Sequence, residues 1–431
     1  MIKNPLRSFF RRFAGAAVVV LAASLFLQAA ALPTARPGEV GLSAERLDRL
    51  SRVIQEYVDQ GKVAGVVGLI VRNGKVAYLK PFGKLDLTTG APMPADGIFR
   101  IASQTKAVTS VAVMMLQEEG KLLIDDPVSK YIPEFANTTV AVQAPDKDAK
   151  GYSVVPAKRP ITIRDLLTHT AGISYGWGPA KDLWAAAGIQ GWFLADKPMP
   201  VGEVVRKLAA LPFDAQPGEK FVYGYNTDIL GYLVERVSGL SLADFFARNI
   251  TGPLGMADTH FFLPAEKLGR FASVYGYDEK GVFKRVEDAR NNFYMKGPRV
   301  CYAGGAGLLS TAEDYGRFLL CLLNGGELSG VRLLSPKSVE LMTVNHVGDL
   351  NGTQGFGLGF WVTDHLGVNG QLGSAGAFGW GGAYDTTYWV DPAEKMVALM
   401  MTQVLPAGNL DLQAKYKTLV YQAIVESYEK R

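Results

Sequence analysis

The sequence predicts a mixed α/β protein: an antiparallel sheet built from both chain ends and flanked by helices, with an all-helical lobe between. Two observations carry that prediction. From Gly65 to Gly83, β-branched and apolar residues alternate around Asn73-Gly74, a dipeptide that tolerates the positive φ angles of a tight hairpin turn. Near the other end, Phe378 to Trp389 and Met396 to Gln403 read as two strands joined through Asp391-Pro392. Between these β-rich ends the apolar spacing turns helical, at Asp165-Leu166-Leu167, Asp228 to Val237 and Leu242 to Arg248, with Pro/Gly clusters as separators. Leu410 to Tyr428 reads as a closing helix. A cleft is expected where sheet and helical lobe meet.

The first 31 residues read as a signal peptide: Lys3, Arg7, Arg11 and Arg12, an uncharged run from Ala14 to Leu27, then the small residues Ala29-Ala30-Ala31. The run is short for a membrane span, which takes about 20 residues, so the expectation is an exported protein, periplasmic or secreted, with no stable membrane insertion after cleavage. The whole chain carries 45 Lys+Arg against 41 Asp+Glu. Losing the four leading basic residues named above makes the two counts equal, and a neutral protein lacks the electrostatic footprint of a nucleic-acid binder. Cys301 and Cys321 could bridge in an exported protein, although Cys321 sits in Phe318-Leu319-Leu320-Cys321-Leu322-Leu323, which reads as a buried helix. His169, His260, His346 and His365 show no metal-ligand spacing, so neither metal nor cofactor is expected.

The chemistry enters at Ser103-Gln104-Thr105-Lys106, at the start of an apolar stretch from Ala102 to Glu119 that Gly120 terminates. Residues three apart on a helix are neighbours, so an amine stands beside a hydroxyl whose proton it can take or help to take. At a helix start the serine's own N–H and the positive end of the helix dipole favour a developing oxyanion. A serine there is also an ordinary N-cap. The spacing alone is weak: Ser427-Tyr428-Glu429-Lys430 repeats it in the polar C-terminal tail, where nothing would bury or orient it.

Other segments resolve the ambiguity by resemblance. Pro217-Gly218-Glu219-Lys220-Phe221-Val222-Tyr223-Gly224-Tyr225, followed by Asp228-Ile229-Leu230-Gly231, resembles the second motif of the penicillin-binding-protein and class C β-lactamase superfamily, a Tyr-x-Asn triplet beside the Ser-x-x-Lys pair. Leu166 to Gly172, Gly304 to Thr311 and Leu123 to Val128 also resemble recurring segments of that family, and the similarity runs from about Gly38 to the last helix. The resemblance implies a β-lactamase/transpeptidase-like fold over residues 38–428, with a mainly helical insertion at about 120–300. It implies Ser103 as nucleophile and Lys106 with Tyr223 as the base system. The N–H groups of Ser103 and Ala383 become the oxyanion donors.

The sequence departs from the family at the third motif, Lys-Thr-Gly or His-Thr-Gly. The matching segment is Phe378-Gly379-Trp380-Gly381-Gly382-Ala383, so Trp380 stands in place of the cation, and Tyr225 takes the place of the triplet's asparagine. In members that handle β-lactams those two positions contact the antibiotic. Losing both resembles the esterase branch, whose members cleave or transfer short acyl esters. Tyr225, Trp380, Gly381, Gly382 and Trp177 are therefore expected to bind a small-molecule ester or amide. A β-lactamase or D-amino-acid peptidase on the same fold is the alternative enzyme, and a non-catalytic binding protein on a retired hydrolase scaffold the alternative outside enzymes. Tyr175, Trp177, Trp184, Trp192 and Phe193 either line the cleft or pack the helical lobe, and His169 reads as structural. Gly373-Ser374-Ala375-Gly376 lacks the full frame of a nucleophile elbow. Oligomeric state is not encoded in any of these signals.

Overall fold

The computed structural model describes residues 31–143, 151–286 and 289–429; apart from Ala31, the expected signal segment lies outside them. An eight-stranded antiparallel sheet forms the centre. Its strands are β1 (Gly65–Arg72), β2 (Lys75–Asp86), β3 (Ala91–Pro92), β4 (Gly355–Phe356), β5 (Trp361–Val362), β6 (Phe378–Gly382), β7 (Thr386–Asp391) and β8 (Met396–Thr402). Their spatial order is β4-β5-β6-β7-β8-β1-β2-β3, so the two chain ends meet at the β8–β1 pair. The β1–β2 hairpin turns at Asn73 (φ 50°) and Gly74 (φ 73°), the double positive φ that the Asn-Gly dipeptide anticipates. The stretch from Phe378 to Trp389 is two strands rather than one: it reverses between Gly382 and Thr386, with Asp385 at φ 65°.

Every residue of β1 is buried, because helices cover both faces of the sheet. Val66 and Ile70 pack with Leu47, Leu50 and Ile54 of α1 (Ala44–Asp59) and with Tyr416 and Val420 of the closing helix. Val67, Leu69 and Val71 point the other way, into the larger core. That core holds Val108, Val111 and Ala112 of α2 (Thr105–Glu118), Ile229 and Leu233 of α3 (Asn226–Ser238) and Phe318 and Leu319 of α4 (Ala312–Leu323). The period-two alternation of the strand thus splits one sequence between two cores. At Gly68 an added Cβ would press within 3.3 Å of the Tyr416 ring, so α5 (Leu412–Tyr421) lies close against the strand.

Helix α5 ends at Tyr421, well short of Tyr428, because the following chain folds back: the Val425 N–H donates to the Gly41 carbonyl at 3.0 Å. The region between the chain ends carries α2, α3 and α4 with shorter helices, and also small two-stranded pairs, among them Thr139–Gln143 with Tyr152–Pro156 and Tyr275–Tyr277 with Phe283–Arg285. Cys301 and Cys321 are both buried and free. Among the described residues no helix is long and apolar enough to cross a membrane.

Candidate active site

Ser103 sits in a single 3-10 turn, Ala102–Gln104, that feeds directly into α2. It is not the helix cap, since Gln104 holds the cap position and no side chain caps the helix there. The backbone is strained just before it, with Ala102 at φ 41°, a region that non-glycine residues rarely occupy. Strand β6 presses on this turn: a Cβ at Gly382 would stand 2.4 Å from the Ile101 carbonyl oxygen, so only glycine permits the approach.

Lys106, in the first turn of α2, is 2% exposed. Its Nζ donates to the Gly305 carbonyl at 2.8 Å, to the Tyr175 hydroxyl at 3.1 Å and toward Ser103 Oγ at 3.4 Å. It also lies over the Tyr223 ring, 4.7 Å from the centroid. The 304–308 segment that supplies Gly305 is clamped to α2 by two threonines: Thr109 Oγ1 donates to the Gly304 carbonyl at 2.8 Å, and the Leu308 N–H donates to Thr105 Oγ1 at 3.0 Å.

Tyr223 is held by rings on several sides. His169 lies 4.6 Å away between centroids, Trp380 5.4 Å and Tyr175 5.8 Å, and Trp380 Nε1 donates to the Tyr223 hydroxyl at 3.3 Å. Burial, reinforced by the nearby Lys106 charge, pushes His169 well below the usual imidazole range, which keeps it neutral. Its Nδ1 faces the side-chain amide of Asn226 at 2.9 Å. Tyr175 is driven well above the usual phenol range, by burial first and then by Tyr223 and Asp228, so it stays protonated and offers Lys106 a neutral oxygen.

These groups open onto a cleft of about 450 Å3 lined by Ser103, Tyr175, Trp192, Tyr223, Trp361, Trp380, Gly381, Gly382, Ala383 and Gln413. Not one of these lining residues is an Asp, Glu, Lys, Arg or His. Ser103, Lys106, Tyr223, Trp380, Gly381, Gly382 and Ala383 are therefore brought together, as the sequence segments anticipate, although Lys106 lies behind the cleft wall.

Two expected contacts are corrected. Tyr225 does not bind substrate: it is 0% exposed, its hydroxyl donates to the Ile189 carbonyl at 2.5 Å and also reaches the Gly191 carbonyl, and its ring stacks on Trp184 at 5.9 Å. The turn beneath it dictates this, since Gly224 presses on the Ile173-Ser174 backbone and sends the next side chain into the lobe. Trp177 does not line the cleft either; it is 65% exposed at the lobe surface, where its loop finds no partner ring for it among the described residues. Of the five clustered aromatics, Tyr175 and Trp192 reach the cleft, Trp184 is core, and Phe193 packs on Tyr294 at 5.8 Å. Trp361 and Gln413 were not anticipated. Trp361 stands on a two-residue strand, too short to leave a period, and its register against Gly379 beside Trp380 exists only in the folded sheet.

A large antiparallel sheet covered on both faces, a Ser-x-x-Lys pair at a helix start and a tyrosine whose ring lies under the lysine's Nζ define a class of serine hydrolases. The chain belongs to the beta-lactamase family, whose model matches residues 50–422. An uncharacterized protein of Mycobacterium tuberculosis is 34% identical over 85% of this chain and 92% of its own length. Esterase EstB of Burkholderia gladioli is 30% identical, with 87% and 94% covered. Among solved structures, EstCE1, described as a hydrolase with promiscuous acyltransferase activity, superposes with a TM-score of 0.75 at 26% identity, covering 88% of this chain and 98% of that one. The protein is a serine hydrolase of the esterase-containing part of this family.

Proposed function

We propose that this protein is an exported hydrolase that cleaves or transfers short acyl esters through a covalent acyl-serine. Ser103 Oγ attacks the ester carbonyl carbon while its proton passes to the Lys106–Tyr223 pair. The N–H groups of Ser103 and Ala383 hold the oxyanion, the C–O bond breaks, and the alcohol leaves with the proton returned through Tyr223. Water, or an acceptor alcohol in the transfer case, then repeats the sequence on the acyl-enzyme and releases acid or a new ester.

The observation that carries this reading is the uncharged, aromatic-walled cleft directly over a Ser103 Oγ that Lys106 Nζ approaches at 3.4 Å. A neutral ester leaves no charge stranded there, whereas a β-lactam carboxylate finds Trp380 where a cation would be needed. An unpaired charge in a partly dry site costs several kcal/mol. The names of the similar EstB and EstCE1 agree with an ester substrate.

Fluorophosphonate labelling followed by mass spectrometry should place the adduct on Ser103. Purified protein should then prefer nitrophenyl butyrate over a chromogenic cephalosporin by at least about a hundredfold in kcat/KM, the equivalent of roughly 3 kcal/mol. An adduct elsewhere, or ring opening as fast as ester cleavage, overturns the reading.

A further inference from the structure

Directly behind Lys106 lies a carboxylate that the acyl-transfer scheme above does not use. Asp228, in the first turn of α3, is 1% exposed. Its Oδ1 accepts the Gly305 N–H at 2.9 Å, and the carbonyl of that same glycine accepts from Lys106 Nζ at 2.8 Å. The other oxygen, Oδ2, is buried and has no hydrogen-bond partner among the described residues. The chain has been shaped to admit it: a Cβ on Gly305 would fall 2.5 Å from Oδ2, and one on Gly304 would fall 2.6 Å from the Thr227 carbonyl oxygen. Tyr225, at the place of the family triplet's polar residue, points into the core, so Asp228 is the polar group that α3 presents toward the lysine.

We propose that Asp228 is a positioning residue for Lys106, fixing Gly305 and answering the positive charge that the Lys106–Tyr223 pair carries once the serine's proton is taken. The inference rests on the acyl-serine reading of Ser103 and Lys106. In it Asp228 stands to Lys106 as the third group of a triad stands to its base, orienting it and answering its charge without touching substrate. A carboxylate with a half-satisfied buried head group is costly by itself; a positive charge taken up on the Lys106–Tyr223 pair offsets that cost.

Burial raises Asp228 to about 6 against the opposing pull of Lys106 and of the Gly305 N–H. The other titratable groups around it are Tyr175, Tyr225 and Cys301, all raised upward by burial, so none of them titrates near that value. His169, which faces Lys106 from the opposite side, is lowered well below the usual imidazole range. Asp385, hydrogen-bonded to the cleft residue Gln413, is raised to about 7 and is the carboxylate beside the cleft that could mimic the effect. The ionised form of Asp228 is the active one, so rate falls as pH drops through about 6.

The test is Asp228→Asn, which keeps an amide oxygen for the Gly305 N–H and removes the charge, placing an amide NH2 where Oδ2 was. At neutral pH kcat for nitrophenyl butyrate should fall at least about tenfold, the effect of a charge that shifts a neighbour by one pK unit or more, with KM within about twofold. Fluorophosphonate labelling, which needs serine activation but no leaving-group alcohol, should slow by the same factor. The acid limb near 6 should vanish in Asp228→Asn and persist in Asp385→Asn. Wild-type kcat in Asp228→Asn, or a lowered kcat with the acid limb intact, overturns the proposal and leaves the acyl-serine reading standing. If Asp228→Asn fails to fold, the labelling profile of Asp385→Asn decides: an acid limb near 6 supports the role, and a flat profile overturns it. A wild-type protein that neither labels at Ser103 nor cleaves esters overturns both readings.

Discussion

Two serines in this chain are followed by lysine at the third position, and the fold treats them in opposite ways. Ser103 opens a buried helix, and its lysine is enclosed by Gly305, Tyr175 and Tyr223. Ser427 lies on an exposed return of the chain, and Lys430 falls outside the described residues. The Ser427 hydroxyl donates to Glu394, the carboxylate partner of Arg72. Arg72 is 0% exposed and gathers the chain ends: its guanidinium donates to the carbonyls of Val40 at 3.0 Å, Gly41 at 2.8 Å and Glu426 at 2.7 Å. One serine is placed beside a base and the other beside an acceptor that uses up its proton. Spacing nominates a nucleophile, but what the hydroxyl donates to decides whether it can be one.

The largest break in that comparison is Ser103→Ala. It should abolish ester hydrolysis, at least about a thousandfold in kcat or ~4 kcal/mol, and remove fluorophosphonate labelling, while the unfolding midpoint stays near that of the wild type. Lys106→Ala should be nearly as damaging, because groups acting as a unit are not additive. Tyr223→Phe keeps the ring stack on His169 and Trp380 and removes only the hydroxyl, so kcat should fall by about a hundredfold, within the range of general acid–base contributions, with a smaller change in KM. Near-wild-type turnover in Tyr223→Phe would leave Lys106 as sole base.

The second region breaks differently. Glu394→Ala leaves the buried Arg72 guanidinium without its carboxylate, a change that costs about 3–5 kcal/mol of stability. The loss should appear in denaturant unfolding, and kcat per folded molecule should not change, since Glu394 is far along the sheet from β6 and its turn. A matching fall in kcat would mean that the Arg72 clasp transmits strain to the cleft.

The sheet was legible because its signals are local. Asn73-Gly74 announces a turn through backbone conformation alone, and β1 and β8 carry uninterrupted apolar runs. The Ser103–Lys106 pair was legible for the same reason, since three residues along one helix fix the geometry. Tyr225 was misplaced because two residues past Tyr223 the chain can send a ring to either side, and only the contact of Gly224 with Ile173-Ser174 settles which. Trp177 and Trp192 are indistinguishable by composition; the loop that carries them exposes one and turns the other over the cleft. The end of α5 was overrun because apolar spacing continues past Tyr421 while the backbone finds better partners at Gly41. Asp228 stands in the segment after Tyr225, but its relation to Lys106 runs through Gly305, far away in sequence, and no periodicity reveals it.

The smallest effect sharpens the comparison most. Ser427→Ala removes the bond to Glu394, a carboxylate that keeps its Arg72 partner and the Tyr428 N–H at 3.3 Å, and also the exposed bond that the Ser427 hydroxyl accepts from the Glu429 N–H at 3.1 Å. Both remaining partners bond Oε2, so Oε1 loses its hydrogen bond while the Glu394 charge stays paired with Arg72. The stability change should be about 2 kcal/mol, within the range for losing a hydrogen bond to a charged group, or a shift of a few degrees in Tm for a chain of this size. Ester hydrolysis and labelling should be unchanged, because the hydroxyl has an acceptor and no base. A loss of labelling in Ser427→Ala, with Ser103 intact, would show that a shared spacing had concealed a second nucleophile, and the distinction between the two serines would have to be redrawn around exposure instead of proton acceptance.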